Sequence, residues 1–116
     1  MNVAPVVTDH ALLISDSAAL VEALPIEPGR VRSHRLFKSE DVTVLGVAMD
    51  AGAAMREHVA AVPILLHGVE GDAVLEVSGA RHPLRAGTII HVDASVPHAV
   101  EAIEPTRFVL VLLGKH

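Results

Sequence analysis

The stretch that decides the fold is GTIIHVDASVPHAVEA, residues 87–102. It opens with a glycine, continues as a short apolar run, breaks at residues 93–95, and resumes as a second apolar run. Short runs rich in Val and Ile, bounded by Gly, Pro, Asp and Ser, are typical of β-strands joined by turns. The stretch therefore predicts strands at 88–92 and 97–103, and it carries a side chain that can do chemistry, His98.

Similar strand and turn signals recur from Val31 to the end of the chain, about every 8–12 residues, which is the pattern of all-β domains. The predicted strands lie at 31–38, 42–49, 54–60, 62–70, 73–78, 81–84, 88–92, 97–103 and 106–113. Eight or nine short strands with no long helix among them predict a closed barrel or a double-sheet jelly roll.

The first 30 residues differ from the rest. Leu20 and Leu24 are spaced as on one helix face, and an N-cap is available among residues 15–17. We therefore predict one short helix in an N-terminal extension, residues 1–30, followed by a barrel domain, residues 31–116. The helix is expected to pack on the outer face of the barrel or to mediate self-association, and a loosely ordered tail is the alternative.

Composition excludes several functional classes. The net charge is −5, the basic residues form no continuous stripe, and Trp and Tyr are absent, so nucleic-acid binding is disfavoured. There is no cysteine to form a disulfide, a thiolate metal site or a thiol nucleophile. No apolar run is long enough to span a bilayer. We expect a soluble, cytoplasmic protein that binds neither nucleic acid nor membranes.

Two histidines stand inside glycine-framed motifs. Gly52 is followed after five residues by His58, and Gly71 closes this first motif; Gly87 opens the second motif, and His98 falls eleven residues later. In these motifs the chain resembles the RmlC-like cupin superfamily of small jelly-roll β-barrels. The resemblance implies a cupin-type jelly-roll fold. Metal-dependent members of this superfamily hold a divalent metal inside the barrel with three His and one Glu, so the resemblance also implies a metal site at these positions.

The resemblance covers residues 42–113, but the first motif is degenerate. Ala60 stands at the position of the second His, and Ile64 stands at the position of the Glu. In the second motif, the Pro, Gly and Asn positions are occupied by Asp93, Ser95 and Ala102. Because a catalytic metal usually needs three protein ligands, the two remaining histidines are expected to bind a divalent ion only weakly.

One further histidine could supply a third ligand. Strand alternation places Ile64 and Leu66 on the inner face and His67 on the outer face, but Gly68 could mark a bulge that re-aims His67. The metal hypothesis is therefore a Zn, Ni, Fe or Mn ion on His58, His98 and His67.

The candidate ligand-binding residues are those expected near the two motif histidines: His58, His98, Arg56, Ile64 and Leu66. Arg56 lies two residues before His58, so alternation predicts that both share a strand face, where a guanidinium would pair an anionic ligand. Ile64 and Leu66 would supply an apolar wall.

We interpret the chain as a small-molecule-binding cupin with at most a weak or atypical divalent metal site. One alternative is a metal-dependent enzyme, of dioxygenase or isomerase type, that uses His58, His98 and an unorthodox third ligand. Another is a structural or interaction module that acts as a dimer. A homodimer is expected in each case, since cupins commonly pair barrel edges and pairing removes exposed strand edges. The sequence leaves open whether the protein is an enzyme.

Overall fold

A computed structural model describes residues 9–114 and confirms the predicted all-β fold with one short helix. The described elements are α1 (Ser17–Ala23), β1 (Val31–Lys38), β2 (Val42–Met49), β3 (Ala54–His58), β4 (Ile64–Glu70), β5 (Asp72–Val77), β6 (Ala80–Arg85), β7 (Ile89–Val92), β8 (His98–Ala102) and β9 (Thr106–Leu113). Among residues 9–114, no helix is both long and apolar enough to cross a membrane.

The strands form two antiparallel sheets that face each other. The five-stranded sheet has the order β1-β2-β9-β4-β7, and the four-stranded sheet has the order β3-β8-β5-β6. Their inner faces form the main core, which is made of Val47, Met49, Ile64, Leu66, Ala73, Leu75, Leu84, Val92, Val100, Ala102 and Phe108. These residues alternate with outward-facing ones along each strand, as expected where one face of an antiparallel sheet is buried.

The two strands of the first motif, β3 and β4, are both shorter than predicted. β3 ends at His58 and β4 begins at Ile64, whereas the sequence pattern predicted strands to residue 60 and from residue 62. The segment between them is tied to the β7–β8 turn, where the Ser95 backbone N–H donates to the Ala60 carbonyl at 2.7 Å. Residues 59–63 therefore form a loop at one end of the barrel.

The helix packs on the outer face of the five-stranded sheet. Asp16 caps it by accepting a hydrogen bond from the Ala19 backbone N–H at 2.8 Å. Leu20 and Leu24 are buried in a second cluster with Ala48 of β2. The Arg107 guanidinium of β9 donates to the Leu24 carbonyl at 2.7 Å, which fixes the end of the helix. These contacts agree with the packing role expected for the helix.

Candidate functional site

His58 and His98 lie directly opposite each other on neighbouring strands. They are register partners between β3 and β8, their ring centroids are 4.3 Å apart, and the ring planes are inclined by 60°. His98 is buried, with 4% of its surface exposed, whereas His58 is exposed. The structure thus brings together the two histidines that the motifs singled out.

A bulge in β3 is what turns His58 inward. Met55 pairs with Val100 and His58 pairs with His98, so β3 uses one more residue than β8 between these two pairs. Simple alternation from the inward Met55 would place His58 outside the barrel, and one extra residue reverses its direction. The bulge is therefore a condition for the histidine pair.

The same bulge makes the prediction for Arg56 wrong. Because alternation breaks between residues 55 and 58, Arg56 and His58 do not share a strand face. Arg56 lines a shallow groove on the outer face of the four-stranded sheet, together with Glu76, Arg81 and Glu101. Arg56 therefore does not line the cavity that His58 and His98 border.

Each imidazole is held by a backbone carbonyl near it in the sequence. The Nδ1 atom of His58 lies 2.8 Å from the Arg56 carbonyl oxygen, and the Nδ1 atom of His98 lies 3.0 Å from the Val96 carbonyl oxygen. A carbonyl oxygen only accepts hydrogen bonds, so both Nδ1 atoms donate. In the neutral rings, both Nε2 atoms therefore carry a lone pair that can accept a hydrogen bond or bind a cation.

The pair borders a cavity of about 430 Å³. This volume falls within the ordinary range for small-molecule sites, and such sites are mostly apolar with a few placed polar groups. The cavity is lined by Ser33, Leu45, Val47, Met55, His58, Val59, Ala60, Ala61, Ile64, His98, Leu110 and Leu112. Among residues 9–114, the polar side chains of this wall are the Ser33 hydroxyl and the two imidazoles, and no carboxylate lines it.

The two predicted wall residues have different positions. Ile64 is buried and lines the cavity, next to the loop that closes the barrel end. Leu66 also faces inward, but it is buried in the core and does not reach the cavity wall. Ile64 is therefore placed where a ligand can contact it, whereas Leu66 packs in the main core.

Sequence reasoning missed most of the opposite wall. Ser33, Leu45, Leu110 and Leu112 come from β1, β2 and β9, which carry no motif histidine. Strand alternation could have predicted which side chains of these three strands face inward. It could not show that they lie opposite the histidines, because that depends on how the strands pair.

His67 lies on the outer face, as strand alternation predicted, and the hypothesis that a bulge turns it toward the pair is wrong. His67 is exposed on the outer face of β4, in a groove with Ile14, Leu20 and Val109. β4 does contain a register shift, but it lies between Gly68 and Glu70, after His67, and so does not re-aim it.

Gly68 borders this register shift and also lies where a neighbouring backbone comes close. A Cβ atom at this position would lie 1.9 Å from the Arg85 carbonyl oxygen. The Gly68 backbone N–H donates to the Thr88 carbonyl at 2.8 Å, and the Gly87 backbone N–H donates to the Gly68 carbonyl at 2.9 Å. The glycine allows the β6–β7 turn to approach β4 closely.

The donor set at the pair does not fit a catalytic metal. Ala60 and Ile64, which stand at the other two ligand positions of the first motif, do line the cavity with His58 and His98, but neither side chain can coordinate an ion. Within residues 9–114, no group of three or more His, Cys, Asp or Glu side chains could hold a metal. Two imidazoles fall short of the three protein ligands that a catalytic metal usually needs.

Comparisons with known proteins agree with this architecture. Residues 47–113 match the family model described as the cupin domain. A comparison with curated proteins finds no match.

Solved structures with this fold include proteins of unknown function and an enzyme. A conserved protein of unknown function from Streptococcus pyogenes has a TM-score of 0.78 and 21% identity, covering 94% of this chain and 92% of that one. A cupin superfamily protein from Desulfitobacterium hafniense has a TM-score of 0.76 and 16% identity, covering 99% and 100%. A DMSP lyase from Ruegeria pomeroyi has a TM-score of 0.70 and 19% identity, covering 73% and 47%. At these identities the likeness shows the fold alone.

Adding a third imidazole to the cavity should strengthen metal binding. We expect Ala60→His to retain about one Ni²⁺ or Zn²⁺ per chain after dialysis, because three imidazoles would then line the cavity. The unchanged chain and the exposed control Ala80→His should retain far less. Elemental analysis measures the retained metal. An unchanged chain that keeps one ion per molecule, and loses it in His58→Ala, would contradict this account of the donor set.

Proposed function

We propose, from the premise that the chain belongs to the cupin domain family, that the protein binds a small molecule inside its barrel. The observation that carries this proposal is the cavity of about 430 Å³ with an apolar wall and two imidazoles on one side. The apolar side chains would bind the body of the ligand, and the two imidazole Nε2 atoms would fix its orientation.

The hydrogen bonds of the two rings restrict the chemistry of the ligand. Both Nδ1 atoms are used by backbone carbonyls, so each neutral ring offers the cavity an acceptor at Nε2. An acceptor that is buried without a partner costs about 1–3 kcal/mol, so a ligand with a hydroxyl or N–H donor is favoured over a purely hydrocarbon one. We therefore expect an apolar molecule with at least one donor group.

The two alternatives receive less support from the site. A metal-dependent enzyme would need a third ligand, and His67 lies outside the barrel. A purely structural module would be expected to fill its barrel with side chains, whereas this barrel keeps an open cavity. The predicted cytoplasmic location stays a prediction.

An uncharged apolar probe tests the binding proposal. N-phenyl-1-naphthylamine has fused apolar rings and one N–H donor, and it becomes fluorescent in apolar surroundings. We expect saturable binding to the unchanged chain and at least a ten-fold loss of affinity in Ala60→Phe, because the added ring occupies space in a cavity that holds the probe. Fluorescence titration measures both values.

The matched control for this experiment is Ala80→Phe, which adds the same ring at an exposed position of β6. It should bind the probe as the unchanged chain does. A folded Ala60→Phe variant with unaltered affinity, or an unchanged chain that does not bind the probe, would contradict the proposal.

We also propose that the protein is a homodimer that pairs through part of the outer face of the five-stranded sheet. Val44, Leu65 and Val111 are adjacent in register there, and all three are half-buried. None of them belongs to either core cluster of residues 9–114, and α1 packs on a different part of this face. An antiparallel sheet face that meets water usually carries polar residues, so this apolar set suits a second copy of the chain.

A charge at the centre of this face should weaken the dimer. We expect the unchanged chain to have the mass of two chains in light scattering, and Val111→Lys to shift to one chain, because a lysine would be buried without a partner in the interface. Val74→Lys, on the outer face of the other sheet, is the matched control and should stay dimeric. A monomeric unchanged chain, or a Val111→Lys variant that stays dimeric, would refute this interface.

A further inference from the structure

We propose that Arg35 binds an anionic group at the mouth of the cavity, so that the ligand class is an apolar acid: a hydrophobic body that carries one carboxylate- or sulfonate-type group. This inference rests on the proposed binding of a small molecule in the barrel. It adds a charged residue to a site whose wall otherwise offers apolar side chains, two imidazoles and one hydroxyl.

The register of β1 places Arg35 on the cavity side. Val31 packs against the main core and Ser33 lines the cavity, so alternation puts Arg35 on the same inner face of the strand. Its cross-strand partner is Leu45, which also lines the cavity. Opposite residues in an antiparallel pair have Cβ atoms about 4.5–5.5 Å apart, so the long Arg35 side chain begins beside the cavity wall.

The surroundings of Arg35 leave its guanidinium available. β1 is an edge strand of its sheet, and both Ser33 and Arg35 are exposed, so the cavity is accessible from this side. Arg32, on the opposite face of the strand, forms an ion pair with Glu27. Arg35 has no ion pair or side-chain hydrogen bond within residues 9–114, so its donors are free for a bidentate contact with an anion.

Local charge around the mouth also favours an anion. The whole chain has a net charge of −5, yet residues 30–38 contain four of the nine Lys and Arg residues and no acidic residue. No carboxylate from the described part of the chain, residues 9–114, lines the cavity wall. Arg32 does not contribute to this effect, because it is paired with Glu27 on the opposite face of β1. The positive charge of Arg35 lies beside the apolar cleft, where it attracts ligands of the opposite sign. Charges on an edge strand also prevent strand addition by other chains, and the experiment below separates that role from ligand binding.

Two probes that differ in one charge test the inference. 1-Anilinonaphthalene-8-sulfonate has the same rings and N–H group as N-phenyl-1-naphthylamine and adds a sulfonate. We expect the unchanged chain to bind the sulfonate probe more tightly than the uncharged one. Arg35→Gln should lower the affinity for the sulfonate probe about ten-fold, in the range of a lost hydrogen bond to a charged group, and leave the uncharged probe unaffected.

Three variants complete the design. Arg32→Gln removes the same charge from the opposite face of β1 and should leave both affinities unchanged. Arg35→Lys keeps the charge and should recover part of the affinity for the sulfonate probe. Ala60→Phe should lose both probes, which shows that they occupy the cavity. Circular dichroism verifies that each variant is folded.

The outcomes separate this inference from the binding proposal. If Arg35→Gln keeps the sulfonate affinity, or loses both probes equally, the role of Arg35 is overturned, while a loss of both probes in Ala60→Phe still supports binding in the barrel. If Arg32→Gln weakens the sulfonate probe as much as Arg35→Gln does, a general charge effect replaces the specific contact. If Ala60→Phe binds both probes normally, the binding proposal itself fails.

Discussion

One extra residue in β3 determines which side chains at the end of this strand face the interior of the barrel. Between the pairs Met55–Val100 and His58–His98, the strand carries a bulge, and this bulge turns His58 inward and leaves Arg56 outside. Bulges frequently occur where a side chain must be re-aimed, because a regular strand can only alternate. Without the bulge the cavity would hold one imidazole, and the acceptor pair on which the proposed function depends would not exist.

The two rings are oriented by short-range hydrogen bonds to backbone carbonyls. Each Nδ1 atom donates to a carbonyl two residues earlier in the chain, so the tautomer of His58 is fixed by its own strand and that of His98 by the turn before β8. A hydrogen bond of this kind to one ring nitrogen is how proteins direct the other nitrogen toward a ligand. The arrangement therefore resembles half of a metal site. Both imidazoles have an Nε2 atom that could coordinate an ion, but Ala60 and Ile64 provide an apolar surface where further ligands would be needed. The chemistry that remains is orientation of a small molecule by two acceptors in an apolar cavity.

The sequence predicted the architecture well because turn residues and strand alternation are local signals. The strands 31–38, 42–49 and 106–113 are found with the predicted bounds, and the helix forms where Leu20 and Leu24 indicated it.

The site was harder to predict, since one inserted residue in a strand leaves no mark in a pattern of short apolar runs. Arg56 was misplaced for this reason. At Gly68 the expected irregularity is found, as a register shift between Gly68 and Glu70, but it follows His67 in the strand and does not re-aim that side chain. The close approach of the Arg85 carbonyl oxygen to Gly68 could not be read from the sequence, because it depends on a neighbouring backbone. Arg35 was not identified because its partner, Leu45, is known only from the register of β1 and β2.

The central claim is that both imidazoles keep Nε2 free for a ligand, and the tautomer of each ring tests it most directly. Long-range ¹H–¹⁵N correlation spectra, recorded where the rings are neutral, distinguish a proton on Nδ1 from a proton on Nε2. The account predicts that His58 and His98 both carry the proton on Nδ1, and that substituting either histidine identifies its signals. A proton on Nε2 of either ring would contradict the account, because that ring would then offer the cavity a donor in place of an acceptor.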